Sequence, residues 1–320
     1  MVSALGVFEL GLRPFATAWR EKPFNRPAEV RQYYEGVAVA HFGPEAQRLT
    51  GNDEVAGAPN ILILGDSHVE ALQVNDAETM GATLERLARA AGAPANARQY
   101  GWSSAAAPTY AIVAPKLISR WQPERVVVVM TPGDFGQAFY GPERLKIVTG
   151  DRPEIIEEPA PVLSGWQKQF GAPVISRSVL AYHLYRSLVM MKEAAQSQGN
   201  LSTEEGTEPA LALAASASIQ VLKGAYGARL LIVYDPFLYG LHTDTADDGT
   251  IEAAVLAACR QEAVECVTTR EALTQDRLTH QRLSRGFSNR APGTGHWNAT
   301  GNSVVADVIW QRLRSELAGR

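Results

Sequence analysis

The sequence predicts an α/β fold in which a parallel β-sheet lies between layers of helices. Three apolar runs carry this prediction: ILIL at 61–64, VVVVM at 126–130 and LLIVY at 230–234. They are short, continuous and mostly β-branched or leucine, which is typical of strands covered on both faces. Weaker strand signals are ARQY at 97–100 and AVECVTT at 263–269. Helical patterns separate these runs, and such an alternation favours a parallel sheet with helices on its faces.

The helices are predicted from apolar spacing and from capping residues. A helix that follows Asp76, its expected N-cap, has Met80 and Leu84 on one face and ends at Gly92. The pattern TYAIVAPKLISRW leads into the second strong strand, and we expect Pro115 to kink or interrupt that helix. Further helical patterns are PALALAASASIQVLKGAYG, TIEAAVLAACRQE and the C-terminal NSVVADVIWQRLRSEL.

Two segments do not follow this alternation. Residues 1–55 are interpreted as an N-terminal extension, which could follow a membrane anchor outside this sequence or form a surface or docking helix. Residues 56–320 form the main domain, with an insertion at about 137–209 that could cover a cleft at the edge of the sheet. Within the insertion, RLKIVTGDRPEIIEEPAPV predicts a hairpin, SRSVLAYHLYRSLVMMKEAA a helix and QSQGNLSTEEGTEP a polar loop or linker.

Composition excludes several classes of function. The chain has 320 residues, of which 46% are hydrophobic and 20% charged, and its net charge is -4. These values are typical of a globular protein. Weak acidity without a basic run gives no electrostatic footprint for nucleic acid. No segment reaches the roughly 18 apolar residues of a membrane helix, and the N-terminus lacks the basic start of a signal peptide.

The sequence gives no sign of a metal site. Cys259 and Cys266 do not form a CxxC pair, and we interpret them as two buried free thiols, with a disulfide as the alternative if the chain is exported. The acidic stretch HTDTADDGT at 242–250 lacks the alternating oxygen ligands of a calcium loop, so we interpret it as a polar loop before a helix. We therefore assign no metal and no cofactor.

Several small or reactive residues are expected at one edge of the sheet, because ligands of open parallel sheets bind beyond the carboxyl ends of the strands. Ser67 follows the first strong strand, in ILILGDSHVEAL. Gly133 and Asp134 follow the second, in TPGDFG, and Ser104 follows the weaker strand, in YGWSSAAAP. His296 lies in the glycine-rich loop APGTGHWNATGN before the last helix.

These residue types fit acyl transfer from an ester. A serine hydroxyl is a poor nucleophile until a base takes its proton, and histidine titrates in the range that suits this task. The tetrahedral oxyanion then needs preorganised N–H donors, which small residues can supply without blocking the substrate.

Four blocks of the sequence, in order, resemble the SGNH/GDSL hydrolase superfamily from about residue 59 to residue 317. They are ILILGDSHVEALQVNDAETMGATLERL, ARQYGWSSAAAPTYA, PERVVVVMTPGDF and PGTGHWNATGNSVVADVI. The resemblance implies a flavodoxin-like three-layer α/β/α sandwich, with Ser67 as nucleophile and His296 as base. It implies oxyanion donors from the backbone N–H of Ser67 and from the second and third blocks, at Ser104 and Gly133.

The sequence departs from the superfamily pattern at both oxyanion positions outside the nucleophile. Ser104 stands in place of a glycine, and its backbone N–H can still donate. Gly133 stands in place of an asparagine whose side-chain amide would donate to the oxyanion. Loss of such a donor is typically worth on the order of 10²–10³ in rate unless another group replaces it.

The acid of the triad is also missing from its usual place. The superfamily has an aspartate two or three residues before the histidine, whereas Gly293 and Thr294 stand there in this chain. His296 would then be oriented by a backbone carbonyl, by Thr294, or by a carboxylate from elsewhere, such as Asp134.

Other residues near the two blocks have supporting roles in our interpretation. Asp66 supports the turn before the nucleophile, and Asn298 holds the histidine loop by local hydrogen bonds. Trp297 packs beneath that loop as part of the core. His68 either lines the pocket or lies on the surface.

The function predicted from the sequence is a serine esterase that removes an acyl group, acetyl by resemblance, from a small-molecule or polysaccharide ester. One alternative is an O-acetyltransferase that uses the same two residues. Another is a non-catalytic glycan-binding or scaffold protein on the same fold. We expect no nucleic-acid partner, and we expect export to the periplasm or the cell exterior, with a membrane anchor as an option and the cytoplasm as the alternative. The sequence does not indicate an oligomeric state.

Overall fold

The computed structural model describes residue 24 and residues 26–140, 145–149, 152–157, 208–237, 249–289 and 292–318. The strands are, in chain order, β1 (Glu29–Gln32), β2 (Ala38–His41), β3 (Asn60–Gly65), β4 (Asn96–Gly101), β5 (Arg125–Met130), β6 (Leu145–Val148), β7 (Glu154–Glu157), β8 (Leu230–Tyr234) and β9 (Glu265–Thr268). The helices are α1 (Ser67–Glu70), α2 (Met80–Ala90), α3 (Ala107–Trp121), α4 (Pro132–Tyr140), α5 (Glu208–Tyr226), α6 (Thr250–Gln261), α7 (Arg270–His280) and α8 (Ala299–Ala318).

A five-stranded parallel sheet with the order β4-β3-β5-β8-β9 forms the centre of the molecule. In terms of the chain, this order is second, first, third, fourth, fifth, which is the flavodoxin-like order. The predicted α/β/α sandwich with a central parallel sheet is therefore confirmed, as are all five predicted strands. The strand order reverses at β3, and ligands of such sheets bind at this point beyond the carboxyl ends of the strands.

Alternate residues of each central strand face opposite helical layers. Leu62 and Leu64 of β3 pack into one apolar cluster together with α3, α5 and α6. Ile61 and Ile63 pack into a second cluster together with α2 and α8. All four side chains are fully buried. The continuous apolar runs in the sequence are explained by this burial on both faces.

The segment that follows residue 22 belongs to the same compact unit as the sheet. Strands β1 and β2 pair as an antiparallel hairpin. Arg48, which follows the hairpin, donates its backbone N–H to the carbonyl of Gln99 at 2.8 Å and its Nη2 to the carbonyl of Val74 at 2.8 Å. The second half of the predicted N-terminal extension is therefore part of the main domain, since buried polar contacts tie it to β4 and to the loop after α1.

Two details of the predicted helices differ from the structure. Helix α2 begins after Thr79, whose Oγ1 accepts the N–H of Ala82 at 3.2 Å, and Asp76 is not its N-cap. Asp76 instead begins a 3₁₀ turn and pairs with Arg48. Helix α3 continues through Pro115, which lies on the exposed face of the helix.

The insertion contains the predicted hairpin, in which β6 and β7 pair antiparallel. The predicted helix and linker of the insertion lie outside the described residues, as does most of the polar loop at 242–250. In the part of the chain that is described, no helix is long and apolar enough to cross a membrane.

Cys259 and Cys266 form a disulfide, so the prediction of two free thiols is wrong. Cys259 lies in the last turn of α6 and Cys266 is the second residue of β9. The chain turns back between them, and their Cα atoms are 6.2 Å apart. This separation is within the range that a disulfide requires.

Candidate active site

The turn after β3 presents Ser67 at the start of the short helix α1. The side chain of Asp66 caps this helix by accepting the backbone N–H of His68 at 2.8 Å. The backbone of α1 lies against the end of β4, where a Cβ on Gly101 would come within 1.9 Å of the backbone nitrogen of Glu70. Only glycine permits this close approach, which holds the turn that contains Ser67 against the neighbouring strand. Asp66 thus supports the turn, the role expected from the sequence.

The glycine-rich loop before α8 brings His296 to the serine. The Nε2 atom of His296 lies 2.8 Å from the Oγ of Ser67. Trp297 is 1% exposed and packs in the core beneath the loop. Asn298 donates its Nδ2 to the carbonyl of Leu283 at 2.8 Å and accepts the N–H of Gly301, so it holds the loop by local hydrogen bonds, as expected.

The carboxylate that pairs with the histidine is Glu35, in the turn between β1 and β2. Its Oε2 lies 2.6 Å from the Nδ1 of His296, and its Oε1 accepts the backbone N–H of the same residue at 2.7 Å. Gly295 has φ +77, and a Cβ there would lie 2.0 Å from the Oε1 of Glu35. Glycine is therefore required for the carboxylate to reach the loop.

Asp134 and Thr294, the side chains named from the sequence as possible partners of His296, do not take this role. Thr294 is exposed, and Asp134 bonds to Thr131 and Tyr110. A carboxylate from elsewhere in the chain was among the expectations, but Glu35 was missed. It lies 261 residues from the histidine in sequence and belongs to no motif, so only the docking of the hairpin reveals it.

His68 is buried beside the catalytic candidates and does not lie on the surface. Its Nε2 lies 2.8 Å from the Nη1 of Arg285, and its Nδ1 lies 3.1 Å from the Oδ1 of Asp66. Since arginine can only donate, Nε2 must accept and Nδ1 carries the proton. Burial lowers the pKa of His68, which agrees with a neutral ring. Burial would raise the pKa of Asp66, but hydrogen bonds from the ring and the backbone N–H of His68 hold it below its usual value.

Arg285 ties the histidine loop to the end of β8. Its Nη1 donates to the carbonyl of Gly295 at 2.7 Å, and its Nη2 forms an ion pair with Asp235. Both side chains of the pair are 0% exposed, and Thr269 donates a further hydrogen bond to Asp235 at 3.0 Å. This pair could not be predicted from the sequence, because Arg285 lies in a loop 50 residues from Asp235.

The residues expected to supply oxyanion donors follow three adjacent strands, β4, β3 and β5. Ser67 is the first residue of α1 and Gly133 is the second of α4. Backbone N–H groups in a first helical turn have no acceptor within the helix, so they are free to bind an anion. Ser104 is exposed and has φ +66 in the turn after β4. No side-chain amide stands at position 133, as the sequence already indicates.

Asp134 lies behind these donors and is 1% exposed. Its Oδ2 accepts the N–H and the Oγ1 of Thr131, both at 2.7 Å, in a capping arrangement at the start of α4. Its Oδ1 lies 2.9 Å from the hydroxyl of Tyr110. Burial, together with the charge on Asp66, raises the pKa of Asp134 to about 8.

Taken together, a serine, a histidine and a carboxylate form one hydrogen-bonded chain at the carboxyl edge of a parallel sheet. This is the arrangement of a nucleophile, a general base and the group that orients the base. Within the described residues, no group of three or more histidine, cysteine or acidic side chains could hold a metal ion.

No protein-family profile matches the sequence, and no curated protein matches it. Solved structures with a similar fold include an alpha/beta hydrolase enzyme from the metagenome of Lake Arreo, Spain, at 12% identity and a TM-score of 0.43 over 81% of this chain and 95% of that one. A family 3 carbohydrate esterase of Clostridium thermocellum has 13% identity and a TM-score of 0.40 over 82% and 98% of the two chains. A lipase/acylhydrolase from Enterococcus faecalis has 9% identity and a TM-score of 0.45 over 81% and 96%. At these identities, the similarity says nothing about a substrate.

Proposed function

We propose that this protein is a serine esterase of the SGNH type that acts through an acyl-enzyme on Ser67. The observation that carries the proposal is the continuous chain from Ser67 Oγ to His296 Nε2, at 2.8 Å, and from His296 Nδ1 to Glu35 Oε2, at 2.6 Å. A structural serine at a helix start needs no such partner. Histidine and carboxylate aligned behind a serine hydroxyl are the means by which that hydroxyl becomes nucleophilic.

In the first half of the reaction, the Oγ of Ser67 attacks the ester carbonyl while Nε2 of His296 takes the hydroxyl proton. Glu35 accepts the Nδ1 proton of the ring, fixes the tautomer in which Nε2 is basic, and stabilises the imidazolium that forms. The carbonyl oxygen becomes an oxyanion, which accepts hydrogen bonds from backbone N–H groups at Ser67, Ser104 and Gly133. The intermediate then expels the alcohol, which leaves with the proton from His296.

In the second half, a water molecule takes the place of the alcohol. His296 removes a proton from the water, whose oxygen attacks the acyl carbon. The second oxyanion that forms accepts hydrogen bonds from the same donors. The carbon–Oγ bond breaks, Ser67 regains its proton from His296, and the carboxylic acid leaves. If a sugar hydroxyl enters instead of water, the same residues perform acyl transfer.

The acyl group, the substrate and the compartment are proposed on weaker grounds than the triad. An acetyl ester of a carbohydrate follows from the resemblance of the sequence blocks, which is an argument by analogy. Action outside the cytoplasm, in an oxidising compartment, is supported by the Cys259–Cys266 disulfide, since disulfides persist mainly in such compartments.

The test is hydrolysis of p-nitrophenyl acetate, together with covalent labelling by a fluorophosphonate probe. We expect Ser67→Ala and His296→Ala to lower kcat by about 10⁶-fold, or to the blank rate, and Ser67→Ala to abolish labelling. The matched controls are Ser303→Ala and His280→Ala, both at exposed positions, which should retain full activity and labelling.

Two outcomes would contradict the proposal. If Ser67→Ala retains hydrolysis and labelling, the nucleophile is another residue. If the parent protein neither hydrolyses a panel of acyl esters nor reacts with the probe, the triad is not catalytic and the scaffold alternative gains support. Analysis of products in the presence of a sugar acceptor separates the esterase, which releases free acid, from the transferase, which yields acetylated sugar.

A further inference from the structure

The hydroxyl of Tyr110 has two oxygen neighbours but only one proton. It lies 2.8 Å from the backbone carbonyl oxygen of Ala105 and 2.9 Å from the Oδ1 of Asp134. A backbone carbonyl can only accept, so the contact with Ala105 is a hydrogen bond only if the phenolic proton points there. The contact between Tyr110 and Asp134 then needs a proton of its own, which only the carboxyl group can supply.

We propose that Asp134 is a protonated, neutral acid in the active enzyme, and that as a positioning residue it holds the two loops that supply oxyanion donors. The Oδ1–H of Asp134 donates to the hydroxyl oxygen of Tyr110, whose own proton goes to the carbonyl of Ala105. Ala105 directly follows Ser104, and Asp134 directly follows Gly133. One buried chain of hydrogen bonds therefore joins the turn after β4 to the start of α4, on either side of the nucleophile. The inference rests on the proposed function where it concerns catalysis.

The other oxygen of Asp134 agrees with this assignment. Oδ2 accepts two hydrogen bonds from Thr131 and so acts as the carbonyl oxygen of a carboxylic acid. Within the described residues, Asp134 forms no ion pair, and a buried carboxylate without a cation is costly. Burial and the charge on Asp66 raise the pKa of Asp134 to about 8, although the hydrogen bonds that Thr131 donates act in the opposite direction.

The surroundings of Asp134 contain both signs of charge. Titratable side chains on the elements around it include Tyr110 on α3, Tyr226 on α5, Lys146 on β6, Asp66 after β3 and Asp235 after β8. Asp235 already pairs with Arg285, and Tyr226 donates to the backbone carbonyl of Tyr110. Of these groups, Asp66 contributes the charge that favours the neutral form of Asp134.

Loss of this proton would break the chain. An ionised Asp134 can only accept, so Tyr110 would turn its proton to the carboxylate and release the carbonyl of Ala105. The turn that contains Ser104 would lose its anchor, and oxyanion donors stabilise the transition state only when they are preorganised. We therefore expect kcat to fall, with KM little changed, as the pH rises through about 8.

The experiment compares kcat and KM across neutral and alkaline pH in the parent protein, Asp134→Asn and Tyr110→Phe, with the rate of each blank subtracted. Asparagine mimics the protonated acid, because its oxygen can accept from Thr131 and its amide can donate to Tyr110. We expect Asp134→Asn to keep kcat at neutral pH and to lose the alkaline fall. Tyr110→Phe should have a low kcat throughout, with KM little changed. Asp307→Asn, at an exposed position of α8, should behave as the parent does. An unchanged alkaline fall in Asp134→Asn would overturn the inference.

A second measurement needs no substrate and separates this inference from the proposed function. The native state would hold a proton on Asp134 that the unfolded chain, with the ordinary value of 3.8, releases. The native state then binds more protons between the two values, so the stability of the parent falls as the pH rises from about 4 to about 8. Asp134→Asn removes this fall, and the difference between the two unfolding curves should grow over that range and then level off. A constant difference overturns the inference even in an active esterase. A growing difference supports a protonated Asp134 even if no ester is cleaved.

Discussion

Two carboxyl groups flank the same serine, and their surroundings differ. Glu35 accepts two N–H groups, from the backbone and from the ring of His296, so each oxygen faces a donor and neither needs a proton. Asp134 also accepts two hydrogen bonds, but both go to one oxygen. Its other oxygen faces the hydroxyl of Tyr110, which has one proton and a second oxygen neighbour in the carbonyl of Ala105. Counting donors thus gives a carboxylate on the histidine side and a carboxylic acid on the oxyanion side.

The difference shows how one fold can use the same functional group in two ways. In the proposed reaction, negative charge is useful on the histidine side because an imidazolium forms there. On the oxyanion side, a second negative charge would oppose the developing oxyanion, and a neutral acid avoids this. Opposite protonation states of neighbouring carboxyl groups are a recurrent feature of catalytic sites.

The largest expected difference is in kcat, when each carboxyl group is replaced by the amide of the same shape. Glu35→Gln should lower kcat by about 10⁴-fold. The side-chain NH₂ group of glutamine would have to face one of the two N–H groups of His296, where only an acceptor fits. Asp134→Asn should retain kcat at neutral pH. Steady-state hydrolysis of p-nitrophenyl acetate measures both, and Glu29→Gln, an exposed position on β1, is the control. Equal losses at the two positions would contradict the assigned protonation states.

The next largest effect is expected on stability, at a third buried carboxyl group. This group, Asp235, is paired with the cation of Arg285. Arg285→Met removes that cation and leaves a buried charge alone, so we expect a loss of about 3–5 kcal/mol in the free energy of unfolding. Arg312→Met, which breaks an exposed pair with Glu265, should cost no more than about 1 kcal/mol. Urea unfolding measures both.

A double variant keeps this prediction testable if Arg285→Met folds poorly. Asp235→Asn in the Arg285→Met background removes the uncompensated charge and should restore part of the lost stability. If the double variant is no more stable than Arg285→Met, the cost arises from lost packing and not from the unpaired carboxylate.

A smaller loss of kcat is expected when the carboxylate of Glu35 is moved but keeps its charge. Gly295→Ala puts a methyl group 2.0 Å from the Oε1 of Glu35, which must move. Misplacement of a catalytic group by about 1 Å costs on the order of 10²-fold in rate. Gly57→Ala is the matched control, since Gly57 has a similar φ of +78 and nothing within 4 Å of the added Cβ. Both variants should lose roughly 1–2 kcal/mol of stability from backbone strain, but only Gly295→Ala should lose kcat.

The sequence predicts those parts of the molecule that depend on local pattern. Strands β3, β5 and β8 are continuous apolar runs, and the edge rule for parallel sheets then brings Ser67 and His296 to one side. Glu35 could not be found in this way. It reaches His296 only because the β1–β2 hairpin docks on the sheet through contacts of Arg48 with Gln99 and Val74, and these contacts leave no local pattern in the sequence. Asp134 was found as a candidate, but its role depends on a hydroxyl and a carbonyl that only the folded chain brings together.

The smallest effect is expected at the opposite edge of the sheet. The Cys259–Cys266 disulfide joins the end of α6 to the start of β9, whereas the candidate site lies beyond the carboxyl ends of the strands. It closes a short loop, with a sequence separation of 7, so replacing both cysteines by alanine should cost roughly 2 kcal/mol of stability. Because the disulfide lies at the start of β9 and the triad lies beyond the carboxyl ends of the strands, kcat should stay at the parent value while the unfolding midpoint falls. A reductant should lower the midpoint of the parent but not that of the double variant. A loss of kcat in the folded double variant would mean that the hydrogen-bonded site depends on covalent support at a distance, which would weaken the view that local donors and charges alone set the state of its two carboxyl groups.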